Sequence, residues 1–146
     1  AIKTLRPFVV YGPGEDLTCK KAMVDFLNDC LKGKNIVLKS SGDVVRSYIY
    51  IGDAIRAFYY VLLKGNNGVY NIASEENVYS IKQVAGFYCE CSGITIEYKL
   101  ENDEYLKNRT QIMVGKSEKI RNLGWSESVN LKAGIARTLM WGKEII

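Results

Sequence analysis

The period of the apolar pattern switches within a few residues around Ile51. Val45, Ser47, Ile49 and Ile51 alternate with Arg46, Tyr48 and Tyr50, which is the two-residue period of a strand. From Asp53 to Leu63 the apolar residues Ala54, Ile55, Ala57, Phe58, Val61 and Leu62 take helical spacing instead. That stripe is wide and predicts a heavily buried helix. Gly65-Asn-Asn-Gly68 reads as a loop and Val69–Ile72 as a further short strand. Strands and helices that alternate in this way place the chain in the α/β class, as a mixed α+β lobe.

The same alternation runs through the remaining sequence. Ile2 to Val10 reads as a strand that stops at Tyr11-Gly-Pro-Gly14, a strong turn signal. Its adjacent Val9 and Val10 suit the middle of a buried sheet. A helix is expected over Leu17–Lys32, with Cys19, Met23, Phe26, Leu27, Cys30 and Leu31 on one stripe, capped by Asp16 or Thr18 and closed by Gly33. Ile36–Leu38 reads as a short strand and Ser40–Asp43 as a turn. Ser80-Ile-Lys-Gln83 matches a capping box and opens a helix that Gly93 ends. Ile94–Leu100 alternates as a strand, Ser117–Leu123 reads as a short helix, and Asn130 caps a last helix through Trp141.

Composition excludes several function classes. With 146 residues, 47% hydrophobic and 25% charged, the chain can bury one real core. A net charge of +4 suits the approach of a small anion but is too slight and too dispersed for nucleic acid. No apolar run reaches the ~20 residues that span a bilayer. No basic, apolar and small-residue leader pattern opens the chain, so a cytoplasmic location is expected. Histidine is absent, which removes Ser-His and Cys-His nucleophiles and H-E-x-x-H zinc sites. Cys89-Glu-Cys91 is C-x-C rather than C-x-x-C, and Cys19, Cys30, Cys89 and Cys91 are read as reduced, structural thiols. No phosphate-binding glycine loop is present. Chemistry alone leaves an α/β domain of open function.

Four segments carry a resemblance. They are Arg6-Pro-Phe-Val-Val-Tyr-Gly-Pro-Gly14, Gly42-Asp-Val-Val-Arg-Ser-Tyr-Ile-Tyr-Ile-Gly-Asp53, Gly68-Val-Tyr-Asn-Ile-Ala73, and Lys119-Ile-Arg-Asn-Leu-Gly-Trp125 followed by Leu131–Trp141. In this order and spacing they resemble the carboxyl-terminal, substrate-binding part of extended short-chain dehydrogenase/reductases, the NAD-dependent nucleotide-sugar epimerases and dehydratases. The resemblance implies a single substrate-binding domain over residues 1–146. Residues 1–14 form the strand and loop that join the Rossmann sheet of a full-length enzyme. It implies a nucleotide-diphosphate sugar as ligand, with Arg46 on the diphosphate, where a planar guanidinium fork suits phosphate oxygens. Arg109 is implied as a second phosphate contact, although its local match is loose and Lys116 stands near the place of the usual acidic residue. Pro7, Phe8 and Tyr11 fall where the family's strand and loop pass the sugar. Val9 departs from the pattern, which commonly has a polar residue there. Ile36–Leu38 is implied beside the nucleotide base. Asp53, at a helix start, is read as structural.

The family's chemistry uses NAD and a Tyr-x-x-x-Lys pair. Tyr60-Val-Leu-Leu-Lys64 has that spacing but follows the Arg46 segment, whereas the family's pair precedes the first strand here, so it is read as coincidence. The expectation is therefore a piece of a longer enzyme, cut from it or truncated in the gene. NAD belongs to the full-length enzyme; no cofactor, no catalytic residue and no metal are expected in this chain. Its exposed apolar surface is expected to allow self-association. Two alternatives stay open: a non-catalytic binding or scaffold remnant of the family, and a relative acting on a non-sugar substrate.

Overall fold

A computed structural model describes residues 2–101 and 110–145. The first apolar run splits in two. β1 (Lys3–Pro7) lies parallel to β5 (Gly68–Ile72), in a register from Lys3 opposite Gly68 to Pro7 opposite Ile72. β2 (Val9–Tyr11) lies parallel to β4 (Val45–Tyr50), with Val9 opposite Tyr48 and Tyr11 opposite Tyr50. The change of neighbour falls at Phe8, whose N–H still donates to the Ile72 carbonyl at 3.0 Å. The expected single strand over Ile2–Val10 is thus two strands.

β4 also pairs antiparallel with β6 (Val78–Ser80) and parallel with β8 (Ile112–Met113). A separate parallel pair joins β3 (Ile36–Leu38) to β7 (Ile96–Tyr98). The helices are α1 (Ala22–Leu31), α2 (Ile51–Lys64), α3 (Ile81–Ser92), α4 (Glu118–Arg121) and α5 (Leu131–Ile145).

β4 divides two apolar cores, because consecutive strand residues point to opposite faces. Tyr48 enters a core with Tyr11, Phe26, Leu27, Tyr88 and Ile135, beneath α1, α3 and α5. Ile49, the next residue, enters a second core with Ala57, Val61, Tyr70, Ile72 and Trp125, beneath α2.

Local hydrogen bonding explains the helix ends. The capping box forms as expected: the Gln83 N–H donates to Ser80 Oγ at 3.3 Å, and the Ser80 N–H donates to Gln83 Oε1 at 2.8 Å. Gly93 closes α3 at φ 77°, a conformation that costs glycine little. Asn130 caps α5 through the Ala133 N–H, and that helix continues beyond Trp141.

Two further expectations fail. α1 begins at Ala22 rather than Leu17, because Asp16 accepts from the N–H and hydroxyl of Thr18 at 2.9 and 2.7 Å and holds a separate turn. Cys19 therefore lies outside the helix. α2 is not heavily buried. Ala54, Ala57 and Val61 face the core, while Ile55, Phe58, Tyr59 and Leu62 face outward, with Leu62 63% exposed. The small residues let α2 sit close to the sheet, and the large ones occupy its opposite side.

Asp53 is structural, as expected, but its partners are distant in sequence. Its buried carboxylate accepts from the Ser128 N–H (3.0 Å), the Ser128 hydroxyl (2.8 Å), the Val129 N–H (3.0 Å) and Arg56 (2.7 Å). Its own carbonyl accepts from Trp125 Nε1 at 3.1 Å. Removing the carboxylate strands two backbone donors and a guanidinium partner. Asp53→Ala is expected to cost about 2–4 kcal/mol, read as a lowered urea midpoint with an unchanged slope.

Candidate functional site

A cavity of about 430 Å³ opens between β2, the start of α1 and β4. That is within the size range of small-molecule sites. Phe8, Val9 and Tyr11 form one wall, Lys21 and Met23 the second, and Arg46 and Tyr48 the third. Arg46 and Tyr48 share a wall because they stand two apart on one face of β4.

The polar end of the cavity is suited to an anion. α1 starts after Lys21 with no side-chain cap, so its first-turn N–H groups lack intrahelical partners and carry the positive end of the helix dipole. Lys21 adds an ammonium, paired at 2.7 Å to Glu15, whose carboxylate also borders the cavity; that hydrogen bond holds the ammonium pKa above its usual value. Arg46 is half-buried. Its guanidinium donates to the carbonyls of Val45 (2.8 Å), Thr110 (2.8 Å) and Gln111 (3.4 Å). These bonds fasten the segment entering β8 to β4 and hold the guanidinium at the cavity wall. Among the described residues, three bonds leave part of its five-donor fork for a ligand.

A second cleft of about 650 Å³ lies beside the first, and Ala22 and Ile81 border both. Val37, Leu38, Lys39 and Ser40 of the β3 end, with Phe26, form its floor and rim.

Other residues singled out in the sequence have clear places. Phe8 borders the cavity, and its ring lies so close to Gly115 that a Cβ added there would come within 2.6 Å of it. Tyr11 lends its ring to the cavity wall, while its hydroxyl donates to the Leu131 carbonyl at 3.4 Å. That ring packs on Gly134, where an added Cβ would fall 2.1 Å from the phenol oxygen. Burial holds the Tyr11 phenol well above the ordinary tyrosine pKa. Pro7 is exposed at the end of β1 and does not border the cavity. Arg109 lies outside the described residues. Tyr60 and Lys64 meet as a cation over a ring at 4.7 Å on α2, away from the cavity. No cluster of three potential metal ligands occurs among the described residues.

Comparison with known proteins decides the family. The model of the NAD dependent epimerase/dehydratase family matches residues 1–73, half of the chain. The chain belongs to this family. It is 34% identical to a trifunctional UDP-glucose 4,6-dehydratase/UDP-4-keto-6-deoxy-D-glucose 3,5-epimerase/UDP-4-keto-L-rhamnose-reductase of Arabidopsis thaliana, over 97% of this chain and 21% of that protein. It is 32% identical to human dTDP-D-glucose 4,6-dehydratase, over 92% of this chain and 39% of that one. Among solved structures, the Bordetella bronchiseptica enzyme WbmF, in complex with NAD+ and UDP, superposes with a TM-score of 0.83 at 28% identity, covering 97% of this chain and 46% of WbmF. The chain thus spans from about a fifth to just under half of the length of these proteins.

Sequence reasoning missed Lys21, the start of α1 and Tyr48 as cavity residues. A helix started at Leu17 places Lys21 inside a helical turn, and the Asp16-Leu17-Thr18 turn chemistry is the available sign of a later start. Tyr48 was read only as part of an alternating strand.

Proposed function

We propose that this chain is the carboxyl-terminal, nucleotide-diphosphate-sugar-binding part of an NAD-dependent epimerase or dehydratase, with catalysis seated in a dinucleotide-binding half. One observation carries the reading. Arg46, Lys21 and the uncapped start of α1 converge on one cavity that adjoins a second cleft beside β3. The diphosphate belongs at the convergence, where charge and orphan N–H groups favour it. The base belongs in the second cleft against Phe26 and the β3 end, and the sugar between Phe8, Val9 and Tyr48.

The described residues do not fit NAD. β4 runs into α2 with the Asp53 carboxylate in the first turn, and β6 runs into α3 through a complete capping box. The buried Asp53 carboxylate opposes a second anion at the first junction and the capping box occupies the second, so hydride transfer is assigned to the rest of the fold.

Calorimetric titration with UDP, dTDP, CDP and GDP tests the reading. Binding of at least one is expected, with Arg46→Ala weakening it about tenfold or more through loss of a charge-assisted contact. Affinity unchanged in Arg46→Ala contradicts the assignment.

The same reading gives the outer side of α2 a role. β1 and β5 pair only with each other among the described residues, although parallel strands are ordinarily covered on both faces. Beside them Ile55, Phe58, Tyr59 and Leu62 form an exposed apolar stripe. This face is assigned to packing against the dinucleotide-binding half, and to self-association of the 146-residue chain when that half is absent. Light scattering over a concentration series is expected to show a rising mass, reduced in Leu62→Lys; a monomer at every concentration contradicts this.

A further inference from the structure

Tyr48 holds a polar group that the fold does not use. The side chain is 1% exposed, and among the described residues its hydroxyl has no hydrogen-bond partner. Buried polar atoms without partners are rare in folded proteins and cost stability. Its surroundings explain why none is supplied. Val9 stands opposite Tyr48 in the strand register, and Val9, Ala22 and Ile81 bring no polar side-chain atom to the shared cavity wall. Arg46, two residues away on the same face, turns its guanidinium to the backbone carbonyls of Val45, Thr110 and Gln111 instead. A phenylalanine would fill the same apolar space with no orphan atom. The hydroxyl is therefore an unneeded cost to the chain by itself.

Position along the cavity says which part of a ligand it meets. Tyr48 borders the first cavity and not the second cleft. With the base in the second cleft and the diphosphate at Arg46 and the α1 start, the group beyond the diphosphate reaches the wall of Phe8, Val9 and Tyr48. We infer that Tyr48 is a specificity-determining residue whose hydroxyl donates to an oxygen of the sugar carried by the nucleotide diphosphate. This assignment rests on the nucleotide-sugar reading above. Burial pushes the phenol pKa up to about 12, which keeps the proton on the hydroxyl at neutral pH. A site built to satisfy a hydroxyl discriminates against ligands that leave it unpaired.

The experiment compares Tyr48→Phe with the unsubstituted full chain on matched probes: UDP against UDP-glucose, and dTDP against dTDP-glucose. The variant is expected to bind the sugar-bearing probe at least about fivefold more weakly and the bare diphosphate within about twofold. Its Tm is expected to be equal or higher, by about 2–4 °C, because the orphan hydroxyl is gone. Equal loss for both members of a pair, or no loss for either, overturns the assignment while the nucleotide reading stands. An unsubstituted chain that binds none of the four probes overturns the nucleotide reading and this assignment with it.

Discussion

The buried carboxylate of Asp53 is the interaction on which the arrangement of the site depends. It stands in the first turn of α2 and holds the backbone of Ser128 and Val129. From that point the chain enters α5. The Val129 carbonyl accepts from Asn77 Nδ2 at 3.1 Å, and Asn77 Oδ1 accepts from the Leu131 N–H at 2.9 Å. Leu131 in turn accepts the Tyr11 hydroxyl, and Tyr11 forms part of the cavity wall. Asp53 thus joins the second core, through the Trp125 indole at its backbone carbonyl, to the first core and its cavity through its carboxylate. The same stretch is tied again by Glu127, which accepts from Ser74 Oγ at 2.9 Å and pairs with Arg121.

β4 converts this scaffold into a site. Its alternation sends Ser47 and Ile49 toward one side and Arg46 and Tyr48 toward the other. The buried side is satisfied: Ser47 donates to the Ser74 carbonyl and Ile49 packs beneath α2. Among the described residues, the cavity side keeps unspent donors in the Arg46 fork and the Tyr48 hydroxyl. Polar capacity left unused by the fold, beside an uncapped helix start, is what distinguishes this cavity from a packing defect.

The parts legible in the sequence were those decided by residues close together in the chain. The Ser80–Gln83 box and Gly93 bound α3 as read, because both ends of each bond lie within one turn. Of the five residues implied for the ligand, Arg46, Phe8 and Tyr11 border one cavity, Pro7 does not, and Arg109 lies outside the described residues. The late start of α1 is set locally by the Asp16–Thr18 turn, whereas the rest of what the sequence does not show depends on distant partners. Asp53 is structural, as its place at a helix start implies, but the amides it holds come from residues 128 and 129, which no local pattern signals. The apolar stripe of α2 has helical spacing all round, and only tertiary packing decides that Ala57 faces inward and Phe58 outward. The change of strand partner at Phe8 is set by β4 and β5 together, so the run Ile2–Val10 shows no break of its own.

The central claim is that one cavity, between β2, the start of α1 and β4, receives a nucleotide diphosphate. A ¹H–¹⁵N NMR titration with UDP or dTDP tests it most directly, since it reports where a ligand sits as well as whether it binds. The account predicts the largest amide shifts at Ala22, Met23, Val24, Arg46 and Ser47, with smaller ones along Val37–Ser40. Shifts confined to the outer side of α2, or scattered without reaching the start of α1, would contradict it.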